Sequence, residues 1–355
     1  PMSNITIDGT VCASNAPTAG FSAVGVIFQV RSQFASSFLT ISGKSRFNIQ
    51  GSSSAGLAWS DRCHLSDSSV EVRDDVGFVM TSRSQEATFA LVEVSSNIDR
   101  TSINVVNSSV LVTSTSGVAA GVKVDGCLTI PSSFSLAVVN SSLSTAGSSG
   151  AQCFTFTGSS GFRNSSSLFV AASTISAASK FGNTHLVRFE TMSRLSERST
   201  ISLESLSAES KSELGDAYGM LFSFSSGISN SSIGISDSNI RAIASRKASV
   251  LTFSGSSTID HSTVSLGGEW RVYSRSGTGA AVAVDLQDQS SITDSHIVVD
   301  GLSASLSAAD GTAVVARFSD ASSVTDQSNL IIQNSILNIS SSTVAAVIQL
   351  RSRSP

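Results

Sequence analysis

A pair of apolar residues flanking one free position recurs about every 32 residues along the whole chain. The pairs read Phe28/Val30, Val92/Val94, Val122/Val124, Phe154/Phe156, Val187/Phe189, Phe222/Phe224, Leu251/Phe253, Val284/Leu286, Ala316/Phe318 and Ile348/Leu350. A degenerate copy, Trp59/Asp61, fills the remaining gap. Between second members the steps are 31, 33, 30, 32, 33, 35, 29, 33, 32 and 32 residues. A fixed period of this length means a solenoid, in which each repeat is one unit stacked on the next.

The unit is built of strands. Alternating runs follow each anchor, such as Ser102-Ile103-Asn104-Val105, Ser232-Ile233-Gly234-Ile235, Thr263-Val264-Ser265-Leu266 and His296-Ile297-Val298-Val299. Alternation with period two places successive side chains on opposite faces of a half-buried strand. The runs are too short for typical helices, and Val, Ile, Phe and Thr suit a pleated surface. The expected fold is all-β: a parallel β-helix of about 11 coils of roughly 32 residues, three short strands per coil. Stacked inward positions are then Ile98, Ile103 and Val105, followed in later coils by Ile228, Ile233 and Ile235, by Ile259, Val264 and Leu266, and by Ile292, Ile297 and Val299. The Leu and Asn framework of leucine-rich repeats is absent, and no 3.6-residue period holds across a unit.

Composition follows from stacking. The chain has 81 serines, and only 14% of its residues are charged, against about 25% in an ordinary globular domain. Like charges stacked about 4.8 Å apart repel, whereas Ser and Thr tolerate that spacing. A hydrophobic content of 40% excludes a disordered serine-rich stalk. Ile5 and Ile7 match the inward phase, and the chain stops just past Ile348/Leu350. Residues 1–355 are therefore expected to form a single continuous solenoid, a segment of a longer array whose partners are further coils or other copies end to end.

No run of 18 apolar residues suggests a membrane span. A net charge of −4 weighs against nucleic acid. Asn-x-Ser/Thr triplets occur at Asn4, Asn107, Asn140, Asn164, Asn230 and Asn338, making these glycosylation candidates. Four of them are Asn-Ser-Ser before a strand, which reads first as turn chemistry. Cys12, Cys63, Cys127 and Cys153 have no metal-binding spacing and read as buried small apolar residues.

Sites of chemistry are few. No phosphate loop, zinc pattern or nucleophile elbow is present, and no cofactor is expected. The candidate catalytic cluster is Asp260, His261, Asp294 and His296, which fall before the same strand in adjacent coils. Carboxylates and imidazoles so placed suit acid–base work or a metal, or else form a solvated outer surface. Glu269, Trp270, Arg271 and Tyr273 form a candidate ligand-binding patch. Asp74-Asp75 reads as a turn.

A three-strand coil with inward Ile/Val/Phe stacks resembles the right-handed parallel β-helix of the pectin-lyase-like superfamily. The Asn-Ser-Ser-Val texture is similar to the β-helical surface proteins of the trypanosome dispersed gene family. The resemblance implies an extracellular or cell-surface protein, but the clustered catalytic residues of the enzymes have no counterpart here. The leading expectation is a non-enzymatic structural or adhesive segment that meets glycans or cell-surface proteins. A carbohydrate-binding or carbohydrate-cleaving protein and an end-to-end fibre former are the alternatives.

Overall fold

The computed structural model describes residues 3–15, 22–28, 33–60, 63–93, 97–126, 133–274, 279–309 and 311–350. They form a parallel β-solenoid of about ten turns. One coil shows the plan: a three-residue strand Asn97–Asp99, then long strands Ser102–Val106, Ser109–Ser114 and Val118–Val124. Each long strand pairs in parallel with its equivalent in the next coil, giving columns A, B and C in that order. Column C is a separate 11-stranded sheet. The expected three strands per coil are thus these three, and a short fourth strand precedes column A. Two strands, Thr263–Ser274 and His296–Ala308, run unbroken through the A–B corner, with a register shift between Leu266 and Gly268.

The pairing corrects the anchors in four coils. Phe28, Trp59, Val92, Val124, Phe156, Phe189, Phe222, Phe253, Leu286, Phe318 and Leu350 form one register column, at intervals of 31 to 33 residues. The true pairs are therefore Val26/Phe28, Leu57/Trp59, Ala90/Val92 and Met220/Phe222, each two residues earlier than the spacing suggests. Phe224 instead occupies an exposed corner at φ 54°. Val30, Asp61 and Val94 lie outside the described residues.

All twelve expected inward positions are buried. Leu39, Val70, Ile103, Leu136, Leu168, Ile201, Ile233, Val264 and Ile297 follow one another up column A. Ile5 and Ile7 take the same phase, paired with Leu39 and Ile41. Under column C, Phe156, Phe189, Phe222 and Phe253 stack face to face, with centroids 4.8, 4.9 and 4.8 Å apart. Ring separation here equals strand separation, so one residue type repeated at one phase makes a continuous aromatic column.

Serine builds the corners. At the entrance to column A the backbone N–H of Ser166, Ser199, Ser231, Ser262 and Ser295 donates to Oγ of Ser199, Ser231, Ser262, Ser295 and Ser328, at 2.9 to 3.3 Å. Three of these hydroxyls, on Ser199, Ser262 and Ser295, donate back to Ser196, Asp260 and Thr293 carbonyls at 2.6 to 2.7 Å. At the A–B corner Ser108 and Ser141 donate in the same way to Ser141 and Ser173, both at 3.1 Å. Each of these hydroxyls accepts from an amide of the preceding coil, and those of Ser199, Ser262, Ser295, Ser141 and Ser173 also serve a carbonyl at the bend. Cys63 takes the position held elsewhere by Ser193, Ser226 and Ser257, and its thiol reaches the Ser60 carbonyl at 2.8 Å.

Candidate functional site

The expected catalytic cluster is partly assembled. His261 and Asp294 are the left-handed residues, each at φ 45°, of the corners that lead into column A in adjacent coils. Stacking those corners places His261 between two carboxylates. Its Nδ1 lies 2.8 Å from Asp260 Oδ1 and its Nε2 3.5 Å from Asp294 Oδ2. His296 is not part of this trio: it opens the next strand, with Nδ1 3.3 Å from Asn329 Nδ2. All three members of the trio are over a third exposed, so water surrounds the grouping. Among the described residues no group of three or more His, Cys, Asp or Glu is arranged to hold a metal ion.

The expected ligand-binding patch is divided by strand alternation. Trp270 faces the interior between Ile240 and Ala304 and is fully buried. Arg271 pairs with Glu269 at 2.6 Å, leaving Tyr273 as the exposed aromatic of the four. Strand alternation turns Trp270 inward while Glu269, Arg271 and Tyr273 stay on the outer face.

The sequons at Asn107, Asn140, Asn164 and Asn230 lie at exposed corners with φ between 47° and 52°. Asn tolerates this left-handed conformation better than most residues, as turn chemistry requires. Asp74 and Asp75, both at φ 65°, also form a corner, and Asp75 pairs with Arg46. Cys63 and Cys153 are buried free cysteines, Cys12 is half-buried, and Cys127 lies outside the described residues. Burial pushes the Cys153 thiol up to about 12.

The outer face of column C holds a buried carboxylate, imidazole and phenol, Asp285, His185 and Tyr218, and sequence reasoning missed it. In seven successive coils the free position between the two anchors holds Lys123, Thr155, Arg188, Leu221, Thr252, Asp285 and Arg317. Asp285 is wholly buried. Lys247 Nζ lies 2.6 Å from its Oδ2, and Arg317 grips both oxygens at 2.8 and 2.5 Å. Burial alone would raise the Asp285 carboxyl; the Lys247 and Arg317 charges outweigh it and hold the pKa below the usual value. Lys247 also sits over the Tyr218 ring, 5.3 Å from its centroid.

Tyr218 stacks on His185 with centroids 5.2 Å apart and planes within 7°. Burial pushes the Tyr218 phenol up, helped by Asp216, which accepts its O–H at 3.2 Å. Burial and the neighbouring Arg188 charge drive His185 well below its usual pKa. Both His185 ring nitrogens lack a hydrogen-bond partner among the described residues. The face therefore holds one carboxylate fixed as an anion, and a phenol and an imidazole fixed as neutral groups. No protein-family model matches the chain, and no curated protein matches it.

Proposed function

We propose that this chain is a non-enzymatic structural or adhesive segment of an extracellular or cell-surface protein. The observation that carries this reading is the enclosure of the ionisable groups on column C: Asp285 is wholly buried between Lys247 and Arg317, and His185 and Tyr218 are buried against one another. An acid–base catalyst needs a group poised near the operating pH. Here Asp285, Tyr218 and His185 are all driven away from neutrality. The trio of Asp260, His261 and Asp294 lies in water at a corner, without the dry cleft that makes such groups reactive. The regular serine-rich exterior suits display over a long surface, and its resemblance to pectin-lyase-like and dispersed-gene-family surface proteins supports the same placement.

Two measurements test this. The purified chain is expected to leave pectic and other acidic polysaccharides intact; cleavage that Asp260→Asn or Asp294→Asn abolishes would overturn the non-enzymatic reading. Antibody raised against the chain is expected to label intact, unpermeabilised cells of its source. Labelling that requires permeabilisation would overturn the surface placement.

A further inference from the structure

The four Asn-Ser-Ser sequons gather around one face of the rod. Asn107 and Asn140 immediately follow the column A strands Ser102–Val106 and Ser135–Val139. Asn164 and Asn230 shortly precede the column A strands Ser167–Ala171 and Ser232–Ser236. One pair thus marks the exit edge of column A and the other its entry edge. The four sites span four coil spacings along the axis and one strand across it, a patch roughly 20 Å on each side. Asn4 and Asn338 fall on columns A and B. None of the six lies on column C, where His185, Tyr218 and Asp285 face outward.

We propose that N-glycans attached at Asn107, Asn140, Asn164 and Asn230 cover the column A face and leave column C bare, so that the rod has one carbohydrate-shielded side and one protein side. This rests on the extracellular reading above. All four side chains are exposed. The hydroxyls needed at the third position of three sequons, Ser109, Ser142 and Ser232, stand at strand starts outside the core. An N-glycan is bulky and needs open solvent, which corners provide and strand interiors do not. Equivalent corner positions hold Asp elsewhere: Asp237 at the exit edge, Asp67 and Asp294 at the entry edge, all with φ between 45° and 48°, while the two-residue left-handed turn Asn164–Ser165 has nearly the φ values of Asp288–Gln289. Asn107→Asp, Asn140→Asp, Asn164→Asp and Asn230→Asp together therefore remove the sequons while keeping residues the corners already accept.

The full chain is secreted from insect cells, and glycopeptides are mapped after enzymatic release of N-glycans in heavy-oxygen water. The four corner sites are expected to be occupied, and the fourfold variant is expected to lose the corresponding mass while melting like the parent. Shielding is read by labelling Ala137→Cys on column A and Ser254→Cys beside column C with a bulky maleimide, each quantified on its own peptide. Ala137→Cys is expected to react several-fold faster in the fourfold variant, and Ser254→Cys at an unchanged rate. Unoccupied corners in the secreted chain, or equal acceleration at both cysteines, would overturn the two-sided rod. Occupied corners in the secreted chain but bare ones in protein from its own source would instead overturn the extracellular reading.

Discussion

The backbone N–H of Ser231 donates to Oγ of Ser262 in the next coil at 3.2 Å, and that hydroxyl donates in turn to the Asp260 carbonyl at 2.6 Å. One small side chain thus serves two main-chain groups that the corner removes from strand pairing. Ser262→Ala leaves the Ser231 amide buried without its acceptor, and is expected to cost about 1–3 kcal/mol. Ser265→Ala, on the outer face of the same coil, is expected to change stability by no more than about 0.5 kcal/mol. Urea midpoints of the two variants check this; equal midpoints would show that the serine ladder contributes nothing particular.

Asp285 is the second test. Asp285→Asn leaves Lys247 and Arg317 partly buried without a counter-charge, with an expected loss of about 3–5 kcal/mol. The parent's dependence on pH has a defined sign. The folded carboxyl titrates below the unfolded one, so its stabilisation is complete above about pH 4 and is lost as pH falls through the folded value. Thermal melts between pH 6 and the acid limit should show that slope in the parent and a weaker one in Asp285→Asn.

His185 carries the opposite expectation for substitution. Its folded pKa lies well below that of the unfolded chain, near 6.5, so the unfolded chain binds the extra proton. Stability is therefore full above about pH 6.5 and falls as pH drops from there toward the folded value. His185→Phe keeps a ring against Tyr218 and removes two buried, unpaired nitrogens. It is expected to raise stability by about 1–3 kcal/mol and to flatten the melting temperature over this range. A variant that melts lower than the parent at neutral pH would mean that the imidazole nitrogens are engaged.

Glycines separate by what surrounds them. A Cβ at Gly121 would come within 2.4 Å of the Cys153 carbonyl oxygen and 2.9 Å of Leu143, whereas one at Gly234 would meet nothing within 4 Å. Gly121→Val is expected to cost at least about 1–3 kcal/mol through overpacking. Gly234→Ser, which extends the outward series Ser202 and Ser265, is expected to be neutral or to stabilise by up to about 1 kcal/mol. Differential scanning calorimetry of both variants distinguishes them.

Strand phase was legible wherever the chain alternates cleanly, as at Ile233/Ile235 and Val264/Leu266. It is ambiguous where two apolar residues compete for one anchor. Phe222 and Phe224 are identical in type and two apart, and only pairing with Phe189 and Phe253 decides between them. The column C site was hidden for a related reason. Lys123, Arg188, Asp285 and Arg317 each sit between two apolar anchors, where a single coil shows just one isolated charge. Their meaning comes from the vertical neighbour: Asp285 and Arg317 are 32 residues apart in the chain and in contact in the fold. Aligning the free positions of all coils one above another would have exposed the series. Trp270 misled in the other direction, because amphipathic residues suggested a surface where strand phase put the indole in the core.

The pairing of each strand only with its counterparts one coil away has a consequence for growth and loss of sequence. Among the described residues strand partners lie 30 to 35 residues apart, one turn away. A coil can therefore be duplicated or excised as a whole with its neighbours meeting across the join as they met the original, while a deletion of even one residue shifts a strand's faces. Chain length in such a molecule is free to change in steps, and the step is one turn.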